Sequence, residues 1–274
     1  MRSRAFGLPS YYLLLLIALY IPIGVLFLMS FNDSIVFTFP LRGLTTRWYE
    51  GMAGNTQLIV AVRNSALVAL VAATLATALG TCGGLALARY RFPGKTLFVA
   101  VALLPLIVPF LLLAVSLLIL LAALDVQRSL LTVMVAHTVV AFPYALLIVT
   151  VRLVGFERSL EEAARDLGAS YAYTLRRVIV PLIAPAMLAA WLVAFTVSFD
   201  EFILASFTIG RQPTLPVYIF GQLRFANRFP QVVALAVLVM VTSVTLVLVA
   251  ERLQRRASGF ALNRTVGNTV GVTE

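Results

Sequence analysis

Residues 97–124 read LFVAVALLPLIVPFLLLAVSLLILLAAL, a run without a single charged side chain. A helix needs about 20 apolar residues to cross the hydrocarbon core of a bilayer, and this run is longer than that. Membrane β-barrels show short alternating strands instead of long continuous apolar runs. The stretch therefore predicts a transmembrane helix, and it places the chain among the all-α integral membrane proteins.

The composition of the whole chain agrees with this interpretation. Of 274 residues, 61% are hydrophobic and 12% are charged, and the mean hydropathy is +1.01. A soluble domain has about 25% charged residues, so this chain has too little polar surface to coat a water-soluble globule. Further apolar runs bring the total to about six spans. They are Tyr11–Phe31, Asn64–Ala88, Ser129–Val151, Pro181–Ile209 and Val232–Ala250.

The distribution of basic residues predicts the orientation. Lys and Arg mark the loops that stay in the cytoplasm. If the N-terminus is inside, the inside segments hold 14 of the 21 basic residues and the outside segments hold seven. We therefore expect both termini in the cytoplasm, the chain 1–274 as a single transmembrane domain, and no role for the net charge of +10 in nucleic-acid binding.

The second span is rich in Ala and Gly, which let helix backbones approach closely in lipid, so we expect it to be central. Cys82 lies in this run and is interpreted as a small packing residue. As the only cysteine it excludes an internal disulfide and a cysteine metal cluster, and the single histidine, His137, excludes a His-pair metal motif. A lone His inside a span is more often hydrogen-bonded within the bundle than part of a pathway. Kinks are expected at prolines inside the spans, namely Pro105, Pro109 and Pro143.

The cytoplasmic loop at about 152–180 is the most informative segment. Ser159 and Glu162 have the spacing of a capping box, which predicts a short helix over Leu160–Leu167. Gly168 is expected to end that helix in a left-handed conformation. Ser170 is expected to cap a second short helix that ends before Pro181. The loop is therefore predicted as two short helices around a glycine.

The residues of this loop resemble the EAA loop of type I ABC importer permeases, which depend on a binding protein. The resemblance rests on Glu162-Ala163-Ala164, then Gly168, then Val178-Ile179-Val180-Pro181, with valines at two positions where the family has Ile and Leu. It implies the permease fold and coupling to an ATPase. The implied coupling residues are Glu162, Ala163, Ala164, Gly168 and Pro181.

The resemblance also implies partners. They are a homologous second permease, two ATPase subunits that bind ATP and Mg, and an external substrate-binding protein, at a bacterial inner membrane. The chain itself is expected to bind no cofactor or metal and to catalyse no reaction. Gly94-Lys95-Thr96 is not a phosphate loop, because the motif needs Gly where Arg89 stands and a strand where a span is predicted.

Asp200 and Glu201 interrupt the fifth span within Ser198-Phe199-Asp200-Glu201-Phe202. Acids at membrane depth usually face a water-filled path or a pairing partner. Ser198, Asp200 and Glu201 are therefore candidate pathway residues for a cationic solute. The alternative is a structural pair of acids at the end of the span, held by Arg211 or Arg224.

The run Ser198–Phe202 and the opening, with Pro22 in the first span followed by Ser30-Phe31-Asn32, are similar to the second permease of spermidine/putrescine importers. The implied solute is a polyamine or another organic cation. Related importers carry opines, aminobutyrate, thiamine, ferric iron or aminoethylphosphonate, and these stay open. An ion-coupled secondary transporter is the alternative of another class, but it would show repeat symmetry and would leave the loop unexplained.

Overall fold

The structure, a computed structural model, describes residues 7–36, 40–155 and 158–245. Within these ranges it is helical, without a strand, and a single antiparallel bridge joins Asn32 and Leu44. The helices are α1 (Gly7–Met29), α2 (Arg47–Ala53), α3 (Thr56–Arg89), α4 (Lys95–Ile107), α5 (Phe110–Ala123), α6 (Leu130–Val154), α7 (Ser159–Asp166), α8 (Tyr171–Thr174), α9 (Val180–Phe199), α10 (Ile203–Thr208), α11 (Leu215–Gln222) and α12 (229–245).

Five helical stretches in the described residues are long and apolar enough to cross a membrane, or six if one bent pair counts as a span. This confirms the predicted all-α membrane fold and the number of spans. The five stretches are Ser10–Met29, Thr56–Arg89, Leu130–Val154, Tyr171–Phe199 and Ala226–Thr245. The predicted sixth span ran to Ala250, and its last residues lie outside the described part of the chain.

The predicted third span is not one straight helix. It consists of α4 and α5, which are bent by 107° at Val108 and Pro109. Val108 is extended, with ψ of 128°, because a proline disfavours the helical conformation of the residue before it. Pro105 and Pro143, in contrast, lie inside α4 and α6 without ending them.

The fifth span differs from its prediction at both ends. Its helix begins at Tyr171, so the second loop helix and the span form one continuous stretch to Phe199. A π-helical turn over Leu175–Ile179 joins α8 to α9, with the Val180 N–H donating to the Leu175 carbonyl. The wide turn comes directly before Pro181, which has no N–H to donate, and single π turns are common near functional sites. The expectation of a separate helix that ends before Pro181 was wrong.

The chain divides into two compact units, one from Met1–Asn55 with Ile219–Glu274 and the other from Thr56–Tyr218. In the first unit, the polar residues after α1 organise the loop that leads to α2. Asn32 is buried, its carbonyl accepts from the Trp48 indole N–H at 2.9 Å, and Tyr49 donates to the Ser30 hydroxyl at 2.7 Å. Trp48 and Tyr49 thus hold this loop against the end of the first span.

The second unit is built around α3, α6 and α9. Gly80 allows the close approach of α3 to α6, since a Cβ there would lie 2.8 Å from the Ala145 backbone. Gly84 faces Val149 and Thr150 in the same register, so the two helices run parallel. Fully buried alanines from all three helices fill the centre, which confirms the central place of the second span. They are Ala73, Ala76, Ala141 and Ala194.

Cys82 does not belong to this packed centre. The thiol lies on the exposed side of α3, between the buried residues Thr81 and Gly84. The interpretation of Cys82 as a packing residue was wrong, because the alanine stripe follows the helical period and position 82 falls on the opposite face.

Candidate coupling loop and translocation site

Helix α7 has the predicted place but a different beginning. It begins at Ser159, with Arg158 at the N-cap, so Ser159 is the first helical residue and does not take the N-cap position that the predicted capping box gave it. Its end is as predicted. Gly168 has φ of +83°, its N–H donates to the Arg165 carbonyl, and the Ala169 N–H donates to the Ala164 carbonyl at 3.0 Å. These two bonds define a Schellman motif, which a left-handed glycine terminates.

The predicted coupling residues lie mainly on the outer surface of the loop. Glu162, Ala163 and Gly168 are exposed, and Ala164 is half-buried. Leu167, just before the glycine, is 90% exposed. Pro181 is exposed at the second position of α9. The loop therefore presents two acids, Glu162 and Asp166, and a low apolar surface that nothing within the described chain covers.

The acid next to the motif has a different environment. Both Nε and Nη2 of Arg89, the last residue of α3, contact Glu161 Oε1, at 2.7 and 2.5 Å. Nη1 of Arg89 donates to the Leu153 carbonyl at the end of α6, at 3.0 Å. The side chains of Arg89 and Glu161 are 10% and 15% exposed. Glu161 is thus tied to the ends of two spans, whereas Glu162 is not.

The opposite pole of α9 holds the candidate pathway residues. Ser198 is buried, and its Oγ shares a hydrogen bond of 2.8 Å with His137 Nδ1 on α6. His137 is itself buried. This hydrogen bond joins α6 to α9 inside the bundle, as expected for a lone histidine in a span.

Asp200 and Glu201 differ in exposure, as Glu161 and Glu162 of the loop do. Asp200 is exposed and ends α9, while Glu201 is 8% exposed. The Glu201 carboxylate accepts the backbone N–H of Leu204 at 2.8 Å and so stabilises the first turn of α10. Neither acid forms an ion pair with a described residue of its unit, Arg211 included.

An aromatic row on α9 leads to Asp200. The rings of Trp191 and Phe195 stack at 5.4 Å, and those of Phe195 and Phe199 stack at 5.8 Å, with interplanar angles of 20° and 17°. Spacings of four residues place the three rings on one helix face. The Trp191 indole donates to Thr74 on α3 at 3.1 Å, which fixes the first ring. All three side chains are partly exposed.

Polar contacts close the unit at this pole. Thr132, in the first turn of α6, donates to the Thr208 carbonyl at 2.7 Å. Ser65 accepts from the Leu215 N–H at 2.7 Å, and Asn64 donates to the Pro213 carbonyl at 3.0 Å. These bonds hold the segment after α10 against the beginnings of α3 and α6. Asp200 and Glu201 therefore lie next to a segment that these hydrogen bonds hold in place.

A bundle of membrane-spanning helices with a helix–glycine–helix loop at one end, and an exposed acid at the other, is the arrangement expected of a membrane transport permease. Residues 80–259 match the family of binding-protein-dependent transport system inner membrane components, and the chain belongs to this family. This confirms the family inferred from the loop and the inner-membrane location.

Curated relatives extend the similarity over nearly the whole chain. The spermidine/putrescine transport system permease protein PotC of Escherichia coli K12 is 35% identical over 252 residues, 92% of each chain. The putrescine transport system permease protein PotI of the same strain is 36% identical over 230 residues, 81% of each chain. PotC of Haemophilus influenzae is 35% identical over 255 residues, 93% of this chain and 98% of the relative.

Solved structures share the fold at lower identity. A bacterial ABC transporter that imports alginate matches with a TM-score of 0.69 at 18% identity, over 93% of this chain and 98% of the other. The alginate transporter in complex with its pentasaccharide-bound periplasmic protein matches with a TM-score of 0.71 at 15% identity, over 93% and 94% of the two chains. Both comparisons support the permease fold.

Sequence reasoning missed the contact of Arg89 with Glu161 and Leu153. The three residues lie in separate segments, so no local pattern joins them. The available signals were a second glutamate beside the motif, Glu161, and a basic residue at the end of an earlier span, Arg89.

Proposed function

We propose that this chain is the permease subunit of an ATP-driven importer for spermidine, putrescine or a similar organic cation. The similarity to PotC and PotI over most of the chain is the observation that carries the solute assignment. The exposed Asp200 beside the aromatic row supports it, because both features suit an alkylammonium ion. The alginate transporters share only the fold and do not bear on the solute.

The site chemistry favours a cation for two reasons. A carboxylate attracts an ammonium group, and the attraction becomes stronger where the bound solute displaces water from around the pair. Aromatic faces attract cations by about 0.5–1 kcal/mol at exposed sites and by more when desolvated. Asp200 would receive the charged end of the solute, and Phe199, Phe195 and Trp191 would offer ring faces along α9. Ser198 and Glu201 would hold the frame behind this surface.

The proposal includes the partners that the family pattern implies. The chain would pair with a homologous permease, take solute from an external binding protein, and couple to two ATPase subunits that hold the ATP and Mg. Glu162, Ala163, Ala164 and Gly168 would form the docking surface for one ATPase, with Pro181 at the entry to the following span. The chain itself would bind no cofactor and hydrolyse nothing.

The orientation with both termini in the cytoplasm fits the helix directions. The ends of α3 and α6 lie together with the beginning of the α8–α9 stretch, where Leu85, Leu153 and Ile179 pack. The beginnings of α3 and α6 lie with α10 at the other pole. Successive crossings alternate in this way, and the basic residues near the loop would then face the cytoplasm.

The direct test reconstitutes the full assembly in proteoliposomes. ATP-dependent uptake of radiolabelled putrescine or spermidine, in the presence of the cognate binding protein, is the expected result. Competition by thiamine, aminobutyrate, an opine, aminoethylphosphonate or ferric iron would instead identify another solute of the same importer class. Uptake that needs an ion gradient and no ATPase would replace the proposal with secondary transport.

A further inference from the structure

The last turn of α3 is held by two basic side chains from outside the helix. Lys95 Nζ donates to the Leu87 carbonyl at 2.5 Å, and Arg158 donates to the Ala88 carbonyl at 3.2 Å. These carbonyls have no partner inside the helix, and positive charge also complements the negative end of its dipole. The end of α3 is therefore held by one residue from the segment that follows it and one from the coupling loop.

Arg89 adds a connection that reaches beyond α3. Two nitrogens of its guanidinium contact the Glu161 carboxylate, and the third donates to the Leu153 carbonyl. Charge-assisted bonds of this kind are shorter and stronger than neutral ones. The pair is largely buried, and removal of one partner from such a pair leaves an uncompensated charge. One side chain thus joins α3, α6 and α7.

The neighbouring residue connects the second arm of the loop. Tyr90 follows Arg89 directly, and its side chain lies near that of Tyr171, the first residue of α8. Two consecutive residues at the end of α3 therefore lie beside both arms of the coupling loop. Glu162 and Leu167, in contrast, point away from the bundle and are exposed.

We propose that Arg89 is a positioning residue for coupling: through Glu161 and Leu153 it makes α7 move as one body with the inner ends of α3 and α6. The two glutamates of the loop then have different roles. Glu162 faces the ATPase, while Glu161 faces the spans and passes the displacement of α7 to them. The inference rests on the proposed function, because coupling requires an ATPase partner.

The experiment measures uptake of labelled putrescine per ATP hydrolysed, in proteoliposomes that contain the whole importer and its binding protein. Arg89→Gln and Glu161→Gln should keep the co-purified ATPase but lower this ratio by about tenfold, a factor within the range usual for coupling between sites. Arg91→Gln is the matched control. Arg91 lies two residues further on, is exposed and forms no ion pair with a described residue, so its variant should keep the wild-type ratio.

Charge reversal separates pairing from simple loss of structure. Arg89→Glu should lower the ratio further, and the double variant Arg89→Glu with Glu161→Arg should recover part of it. Recovery stays incomplete because a glutamate at position 89 cannot donate to Leu153. Arg89→Lys keeps the charge but loses the planar guanidinium that contacts Glu161 with two nitrogens. If the single reversals do not assemble, this variant should still assemble, with a lowered ratio of uptake to ATP hydrolysed.

A wild-type ratio in assembled Arg89→Gln or Arg89→Lys would overturn the inference, as would a double reversal no better than Arg89→Glu. A loss of uptake that only follows the amount of assembled complex would do the same. If the wild-type chain neither retains an ATPase nor shows ATP-dependent uptake, the proposed function has failed and not this inference alone.

Discussion

Two pairs of adjacent acids lie at opposite ends of the second unit. In each pair, one acid is bonded to other residues of the chain and the other is exposed to solvent. In the loop, Glu161 is bound to Arg89 while Glu162 is exposed. At the far end of α9, Glu201 holds the first turn of α10 while Asp200 is exposed. Neighbouring carboxylates of similar chemistry therefore serve different purposes. The buried member fixes the frame, and the exposed member is available to a partner or a solute.

The largest expected effect concerns the exposed acid of the loop. Glu162→Lys places a positive charge where the proposed ATPase surface receives a negative one, and Gly168→Pro removes the left-handed residue that ends α7. Each change should reduce ATP-driven uptake by about a hundredfold, roughly 2.7 kcal/mol, while the chain still inserts in the membrane. Uptake and ATPase co-purification are the measurements. Wild-type values for both would remove Glu162 from the coupling surface.

The second effect concerns the exposed acid at the other pole. Asp200→Asn keeps size and polarity but removes the charge that would attract an ammonium group. Uptake of putrescine per assembled complex should fall by about tenfold, or about 1.4 kcal/mol. Asp200→Glu is the control, because it keeps the charge and should retain most of the uptake. An unchanged normalised uptake in Asp200→Asn would leave Asp200 a structural end of α9 and would weaken the assignment of a cation.

The third effect concerns the buried acid beside it. Glu201→Ala removes the acceptor for the Leu204 N–H, and loss of a helix-capping side chain costs about 1 kcal/mol of stability. Thermal stability of the purified complex should fall, while uptake per assembled complex should stay near the wild-type value. Glu201→Gln still offers an oxygen to Leu204 and should be the milder variant. A tenfold loss of normalised uptake in Glu201→Gln would make both acids part of the pathway and erase the difference between them.

The two poles also show how far the sequence alone could lead. The spans, the loop and Gly168 were predictable because hydrophobic length and helix termination are local properties. A kink at Pro109 was predictable, but its size, a break of 107°, and the continuous helix through Pro181 were not, since the effect of a proline on a helix depends on the packing around it. The division within each acid pair was also hidden, because Arg89 and the first turn of α10 become neighbours only in the folded chain.

The smallest expected effect extends the comparison from the exposed acid to its uncharged neighbours. If Asp200 receives the solute, the next favourable surface along α9 is the row Phe199, Phe195 and Trp191, whose side chains are partly exposed. A cation over an aromatic face gains about 0.5–1 kcal/mol. Phe195→Leu keeps the apolar volume but loses the ring, and it should therefore raise the KM for putrescine by about two- to fivefold. Phe195→Tyr keeps the ring and is the control. The same rise in both variants would mean that packing against the alanines of α3 and α6, rather than a ring facing the solute, is what Phe195 contributes. A rise confined to Phe195→Leu would place the path of the cation on this face of α9.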